Sequence, residues 1–170
     1  MINKILDNRF IIIYLLPFCL GGLTVFSFQP FNFSYINFIL LPIFFSLVAF
    51  VSKRTKSVYR KKPYKKNLFL IGFIFGFGFY LSGIHWITYS LTFDESFKFL
   101  IPFALIFIPL FLGLFMGLTI FIIGPFINYN ISSVLLFSGS FALSEYIRGK
   151  ILSGFPWNLI GYSWSWFTEV

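Results

Sequence analysis

Charged side chains divide this chain into long apolar runs, and the runs predict its elements. From Phe10 to Ser52 no residue is charged, which is too long for a single membrane helix of about 20 residues. The polar, proline-containing stretch from Ser27 to Ser34 splits that run, predicting a first helix near 10–26 and a second near 35–52. Asn67 to Phe93 is the next uncharged run and predicts a third helix near 68–91. Phe99 to Ser144 is again of double length, interrupted at Gly124-Pro125 and Asn128-Tyr129-Asn130. It predicts a fourth helix near 99–123 and a fifth near 131–149. The pattern therefore describes an all-α integral membrane protein of about five spans over residues 1–149, with no soluble domain. An aromatic loop over 150–170 follows. The N-terminal apolar run lacks a small-residue cleavage site and leads straight into further spans, so it does not read as a cleaved signal peptide.

The basic residues set an orientation. Eight of the thirteen lie between Lys53 and Lys66, with no acid among them. Elsewhere five basic and five acidic residues balance. Under the positive-inside rule this stretch faces the cytoplasm, and so does the N-terminus with Lys4 and Arg9. Residues 27–34, 92–98 and the segment after the fifth helix then lie outside. Arg148 and Lys150 run mildly against the rule, and the longer basic loop outweighs them.

Composition narrows the class further. Hydrophobic residues make up 58% of the 170 and charged residues 11%, against about 25% charged in an ordinary soluble domain. Too little polar surface remains to wet a globular exterior, which excludes a soluble or disordered protein. The net charge of +8 does not indicate a nucleic-acid partner, because its excess sits in one loop between apolar spans. That loop, 53–66, is suited instead to anionic lipid, each Lys or Arg near the surface contributing about 1 kcal/mol.

Within the spans, Gly72, Gly76 and Gly78, then Gly113 and Gly117, recur at helical spacing. Small residues four apart let helix backbones approach closely in lipid. The glycine string of the third helix has no preceding strand and no lysine, so it is not a phosphate loop. Cys19, the single cysteine, lies in an apolar segment where a thiol stays protonated and inert. His85 is either an interfacial residue in an aromatic belt with Trp86 and Tyr89 or a functional group at membrane depth. No second metal-ligand residue lies near it in sequence, and neither a metal nor a cofactor is expected. Glu145 and Arg148 are three apart and share a helix face. They form an ion pair at the membrane edge, or they organise the loop beyond as a lipid head-group site.

That loop, Ser153-Gly154-Phe155-Pro156-Trp157-Asn158 followed by Gly161-Tyr162-Ser163-Trp164-Ser165-Trp166, holds three of the four tryptophans. Amphipathic rings at a helix end suit the head-group region, either as an anchor or as a lipid-binding lip. No paired carboxylates, Cys/His pair or Ser/His/Asp set accompanies it.

The order and spacing of Phe26-Ser27-Phe28-Gln29-Pro30, of Gly76-Phe77-Gly78-Phe79 leading to Gly83-Ile84-His85-Trp86, and of Ser144-Glu145-Tyr146-Ile147-Arg148-Gly149 followed by Gly154-Phe155-Pro156-Trp157 and Gly161-Tyr162 resemble the N-terminal membrane part of the apolipoprotein N-acyltransferases. The resemblance covers essentially the whole chain. It implies a bacterial multi-pass inner-membrane enzyme of lipoprotein maturation. Such an enzyme takes an acyl chain from a membrane phospholipid onto a cysteine, then passes it to the α-amine of a diacylated apolipoprotein. Two transfers through a thioester make each step easier than a direct one.

In the resemblance, Phe155, Pro156 and Trp157 are lipid-substrate contacts, with Glu145 and Arg148 shaping the lip. The Glu-Lys-Cys triad belongs to a nitrilase-like domain outside these 170 residues, so no catalytic residue is assigned here and the chain alone is expected to be inactive. His85 stands where the family pattern has Asn. The alternative is a non-enzymatic multi-span scaffold or transporter subunit, though the inverted repeats and midplane ionisable residues of transporters are not evident.

Overall fold

The computed structural model describes residues 8–57, 64–151 and 158–165. Five α-helices and several short 3₁₀ turns make up the described residues, and no strand is present among them. Helix α1, Leu16–Leu23, is entered through a π-turn at Ile11–Leu15 and leaves through a 3₁₀ turn at Thr24–Ser27. A 3₁₀ turn at Ser34–Ile36 leads into α2, Asn37–Ser57, and α3 follows at Tyr64–Gly83. Helix α4, Ile101–Ile123, is flanked by 3₁₀ turns at Glu95–Leu100 and Gly124–Phe126, and α5 runs over Ile131–Arg148. Three of these helical runs are long and apolar enough to cross a membrane: Ser34–Lys53, Tyr64–Gly83 and Glu95–Phe126. The first run, Ile11–Ser27, is apolar but shorter.

Local chemistry explains most boundaries. Asn130 caps α5 by accepting from the Ser133 backbone N–H at 2.9 Å, which satisfies a donor the first turn would leave orphaned. Asp94 does the same for Ser96 at 2.8 Å before the turn that leads into α4. The predicted polar split at 27–34 falls between two helical runs, as the pattern requires.

The third helix departs from expectation. It was expected to continue to residue 91, but the α-helix stops at Gly83 and 3₁₀ geometry takes over at His85–Thr92. Thr88, Ser90 and Thr92 each donate to the carbonyl three residues earlier at 2.7 Å. Such local bonds compete with the α ladder. At its other end α3 starts earlier than the charge boundary, at Tyr64, because charges mark the edge of the apolar zone and not the end of a helix.

Helix α3 is the centre of the packing, lying most extensively on α4 and next on α1. Glycine makes both contacts close. A Cβ at Gly21 of α1 would sit 2.0 Å from the Phe75 carbonyl oxygen, and one at Gly72 would sit 2.5 Å from that of Met116 on α4. Lipid supplies no hydrophobic drive between helices, so such backbone approaches carry the association. Phenylalanine fills the rest. Phe44 of α2 is fully buried, stacks on Phe75 at 3.9 Å and meets Phe137 and Phe141 of α5 at about 6 Å. The exterior is equally apolar, with Phe38, Phe107, Ile122 and Leu135 among its exposed residues.

The two ends of the bundle differ in charge. At one end Arg9 donates to Asn67 at 3.0 Å, Lys53 lies over the Tyr129 ring and Lys65 over Phe121. The Tyr129 hydroxyl donates to the Ser46 carbonyl there. The opposite end gathers the close of α1, the start of α2, the ends of α3 and α5, and residues 158–165.

Candidate functional site at the aromatic end of the bundle

The described C-terminal stretch, 158–165, is held from several sides. Glu145, in the last turn of α5, accepts the Ile160 backbone N–H through Oε1 at 2.8 Å. The turn at Ile160–Trp164 centres on Ser163, which is 1% exposed. Its hydroxyl donates to the Ile160 carbonyl at 2.7 Å and accepts from Asn37 Nδ2 at 3.2 Å. The Ser34 hydroxyl donates to the Ser163 carbonyl. Trp164 meets Tyr35 and Phe38 edge-on at 5.9 and 5.4 Å. Asn158 adopts a left-handed backbone at φ 53°, a conformation Asn tolerates better than most residues.

Asn158 also explains the glycine at the end of α3. A Cβ at Gly83 would lie 1.7 Å from Asn158 Nδ2 and 3.3 Å from Val25. Only glycine leaves room for that side chain, so the close of α3, the end of α1 and the C-terminal stretch are fitted to one another.

Arg148 is 2% exposed, and its guanidinium carbon stands 5.2 Å from the centre of the Tyr80 ring. Tyr80 on α3 is itself fully buried. A cation over a desolvated aromatic face contributes about 2 kcal/mol, which helps offset the cost of burying the charge. Arg148 therefore ties α5 to α3, and Glu145 ties α5 to Ile160.

Between α2 and α5 a groove of about 490 Å³ opens on the apolar exterior. Its walls include Leu41, Pro42, Phe45, Ser138 and Ala142, and Glu145, Ile160 and Gly161 lie at its end.

Of the residues expected at the site, Glu145 and Arg148 lie in the last turn of α5 and bind different neighbours. Phe155, Pro156 and Trp157 lie outside the described residues, and Asn158 is the first described residue after them. His85 is exposed, and its Nδ1–H donates to the Ser82 carbonyl at 2.7 Å. Cys19 is exposed on α1 and does not join the cluster. The sequence pattern singles out neither Tyr80 nor Asn37, and it holds Ser34 and Ser163 only as members of the polar split and of the aromatic loop. Ser34 and Asn37 bracket the start of α2, and Tyr80 is the only phenol between Asn67 and Phe93 apart from Tyr89, which were the available signals.

A helical membrane protein with an aromatic-rich end, a half-buried carboxylate and a buried guanidinium in the last turn of one helix, and a groove open on its apolar exterior is the class these features define. Residues 20–170 match the family model for the apolipoprotein N-acyltransferase N-terminal domain, and the chain belongs to that family. It is 35% identical over 137 residues to the apolipoprotein N-acyltransferase of Rickettsia prowazekii, covering 78% of this chain and 26% of that protein. It is 32% identical over 152 residues to that of Brucella melitensis, covering 88% and 28%. For Rhizobium etli the identity is 30% over 145 residues, covering 84% and 26%. The chain thus spans about a quarter of the length of these relatives.

Proposed function

We propose that this chain is the membrane part of an enzyme that moves a phospholipid acyl chain to the α-amine of a diacylglyceryl-cysteine on bacterial lipoproteins. The observation that carries the reading is the pinning of 158–165 directly after the Gly-Phe-Pro-Trp motif. Glu145 of α5 and Ser34 of the turn before α2 bond its backbone, Asn37 of α2 bonds the Ser163 hydroxyl, and Gly83 of α3 leaves room for the Asn158 side chain. A lip held by rigid elements can present lipid reproducibly to a reacting thiol, and orientation of this kind lowers barriers by pre-paying entropy. Glu145 and Arg148 shape the lip, and Phe155, Pro156 and Trp157 contact the lipid.

The topology that fits is five spans in the inner membrane, with the N-terminus cytoplasmic and the aromatic end outside. Clustering of Arg9, Lys53 and Lys65 at the opposite end supports this, since cytoplasmic ends are enriched in Lys and Arg. The basic segment 53–66 then faces the anionic cytoplasmic leaflet.

Cys19 is the only thiol of these residues, and its place on α1 is remote from the pinned lip in sequence and in contacts. The 170 residues expressed alone should bind phospholipid and diacylated lipopeptide and make no triacylated product. Mass spectrometry of the lipopeptide after incubation in vesicles reads both. Product formation would overturn the assignment of the nucleophile to polypeptide outside these residues. Failure to bind either lipid would overturn the acyltransferase reading itself.

A further inference from the structure

The groove between α2 and α5 has a shape and polarity of its own. Val134, Ser138, Ala142 and Glu145 follow one another along α5 at spacings of four, four and three, forming a single stripe. Phe137 and Phe141, each 6% exposed, form the floor beneath it. Ser138 and Ala142 are too small to close the seam against α2, and they leave it open where larger side chains would seal it.

At 1.5 Å per residue the stripe from Val134 to Glu145 is about 16 Å long. Half of a hydrocarbon core of about 30 Å is about 15 Å. The groove is thus about one leaflet deep, opens sideways to lipid and ends on a carboxylate. Among the described residues Glu145 is the only ionisable one that lines it. Arg148, three residues further along α5, is close enough to act on the Glu145 carboxylate, but its guanidinium lies over Tyr80, outside the lining.

We propose that this groove seats one acyl chain of the diacylglyceryl-cysteine acceptor, with the free α-ammonium of that cysteine against the Glu145 carboxylate. The inference rests on the acyltransferase reading and deepens it by assigning one of the two lipids to a place. Charge decides which lipid. The acceptor's head carries a cation and no phosphate, whereas a phospholipid brings an anionic phosphate toward the carboxylate. An acyl chain in the groove places the amine at Glu145, whose Oε1 is bonded to Ile160 two residues after Asn158, and so beside the pinned lip.

The test uses the chain in phosphatidylcholine nanodiscs and measures equilibrium binding of a dipalmitoylglyceryl-cysteinyl peptide. Its N-acetylated twin and dipalmitoyl phosphatidylethanolamine serve as comparison ligands. Ala142→Trp and Ser138→Leu should each weaken the free-amine peptide at least about tenfold by filling the groove, and Leu135→Trp on the lipid-facing side should leave binding unchanged. Glu145→Gln should weaken the free-amine peptide about tenfold more than its N-acetylated twin, equivalent to about 1.4 kcal/mol.

Wild-type binding that ignores N-acetylation, or is matched by phosphatidylethanolamine, would overturn the assignment of the acceptor. Binding that survives both groove-filling variants would place the acceptor elsewhere while leaving the family function intact. A chain that binds neither lipid fails the acyltransferase reading first. Protection of a Ser138→Cys thiol from a membrane-permeant maleimide, in nanodiscs without lipopeptide, would show the groove covered by protein and would also overturn the proposal.

Discussion

Glu145 offers the sharpest test of how the lip is held. Replacing it with alanine removes the acceptor of the Ile160 N–H, a bond of 2.8 Å. A hydrogen bond to a charged group contributes about 1.5–3 kcal/mol, and a buried donor left without an acceptor forfeits its solvation as well. Taking about 2 kcal/mol, the docked state of 158–165 should lose about 30-fold in its equilibrium against local opening. Glutamine keeps an acceptor oxygen but loses the charge, so its deficit should be about 1 kcal/mol.

Amide hydrogen exchange of Ile160 in nanodiscs reads the opening directly, because local openings exchange with their own free energies. Exchange at Ile160 should accelerate about 30-fold in Glu145→Ala and about fivefold in Glu145→Gln, while amides in the middle of α3 remain unchanged. Equal exchange in wild type and Glu145→Ala, with α3 intact, would refute the idea that this carboxylate holds the segment. Acceleration throughout the bundle would refute it differently, by showing Glu145 to be a global stability element.

Packing fixes four further outcomes, each read by thermal unfolding or tryptophan emission in detergent or nanodiscs. Gly72→Ala should destabilise by about 1–3 kcal/mol through overpacking, since its Cβ would lie 2.5 Å from the Met116 carbonyl oxygen. Gly139→Ala, with nothing within 4 Å, should instead stabilise by about 0.5–1 kcal/mol. Phe44→Ala should cost about 3 kcal/mol from the cavity and the three lost ring contacts, whereas the lipid-facing Leu135→Ala should stay within about 0.5 kcal/mol. Equal effects at Phe44 and Leu135 would refute the assigned core. Ser163→Ala breaks the bonds to Asn37 and Ile160 and should red-shift the Trp164 emission, measured as a difference against Trp164→Phe. An unchanged difference spectrum would show that Ser163 does not seat the turn.

Much of the fold was legible because hydropathy is a contiguous property of the chain. The apolar runs, their polar interruptions and the glycine spacing all follow from which residues can leave water; the described residues hold five α-helices, and three helical runs are long and apolar enough to cross a membrane. Boundaries were less legible. The continuation of the third helix to residue 91 was a reasonable expectation from an uninterrupted apolar run, but hydropathy cannot distinguish α from 3₁₀ geometry. What requires glycine at the end of α3 is Asn158, seventy-five residues further on. Likewise, Glu145 and Arg148 share a helix face in the sequence, but their neighbours Ile160 and Tyr80 come from other elements.

The sequence by itself determined that this chain is helical and apolar on nearly every side, that its cations cluster, and that its aromatic end carries the family's motif. Partition between water and hydrocarbon depends on each residue and its immediate neighbours, which a single sequence displays in full. The tertiary structure alone decided which glycines touch another backbone, that Tyr80 lies beneath Arg148, and that small residues on α5 leave an open apolar groove ending at Glu145. Those features depend on steric fit between segments far apart in the chain, and steric fit exists only after the helices have met.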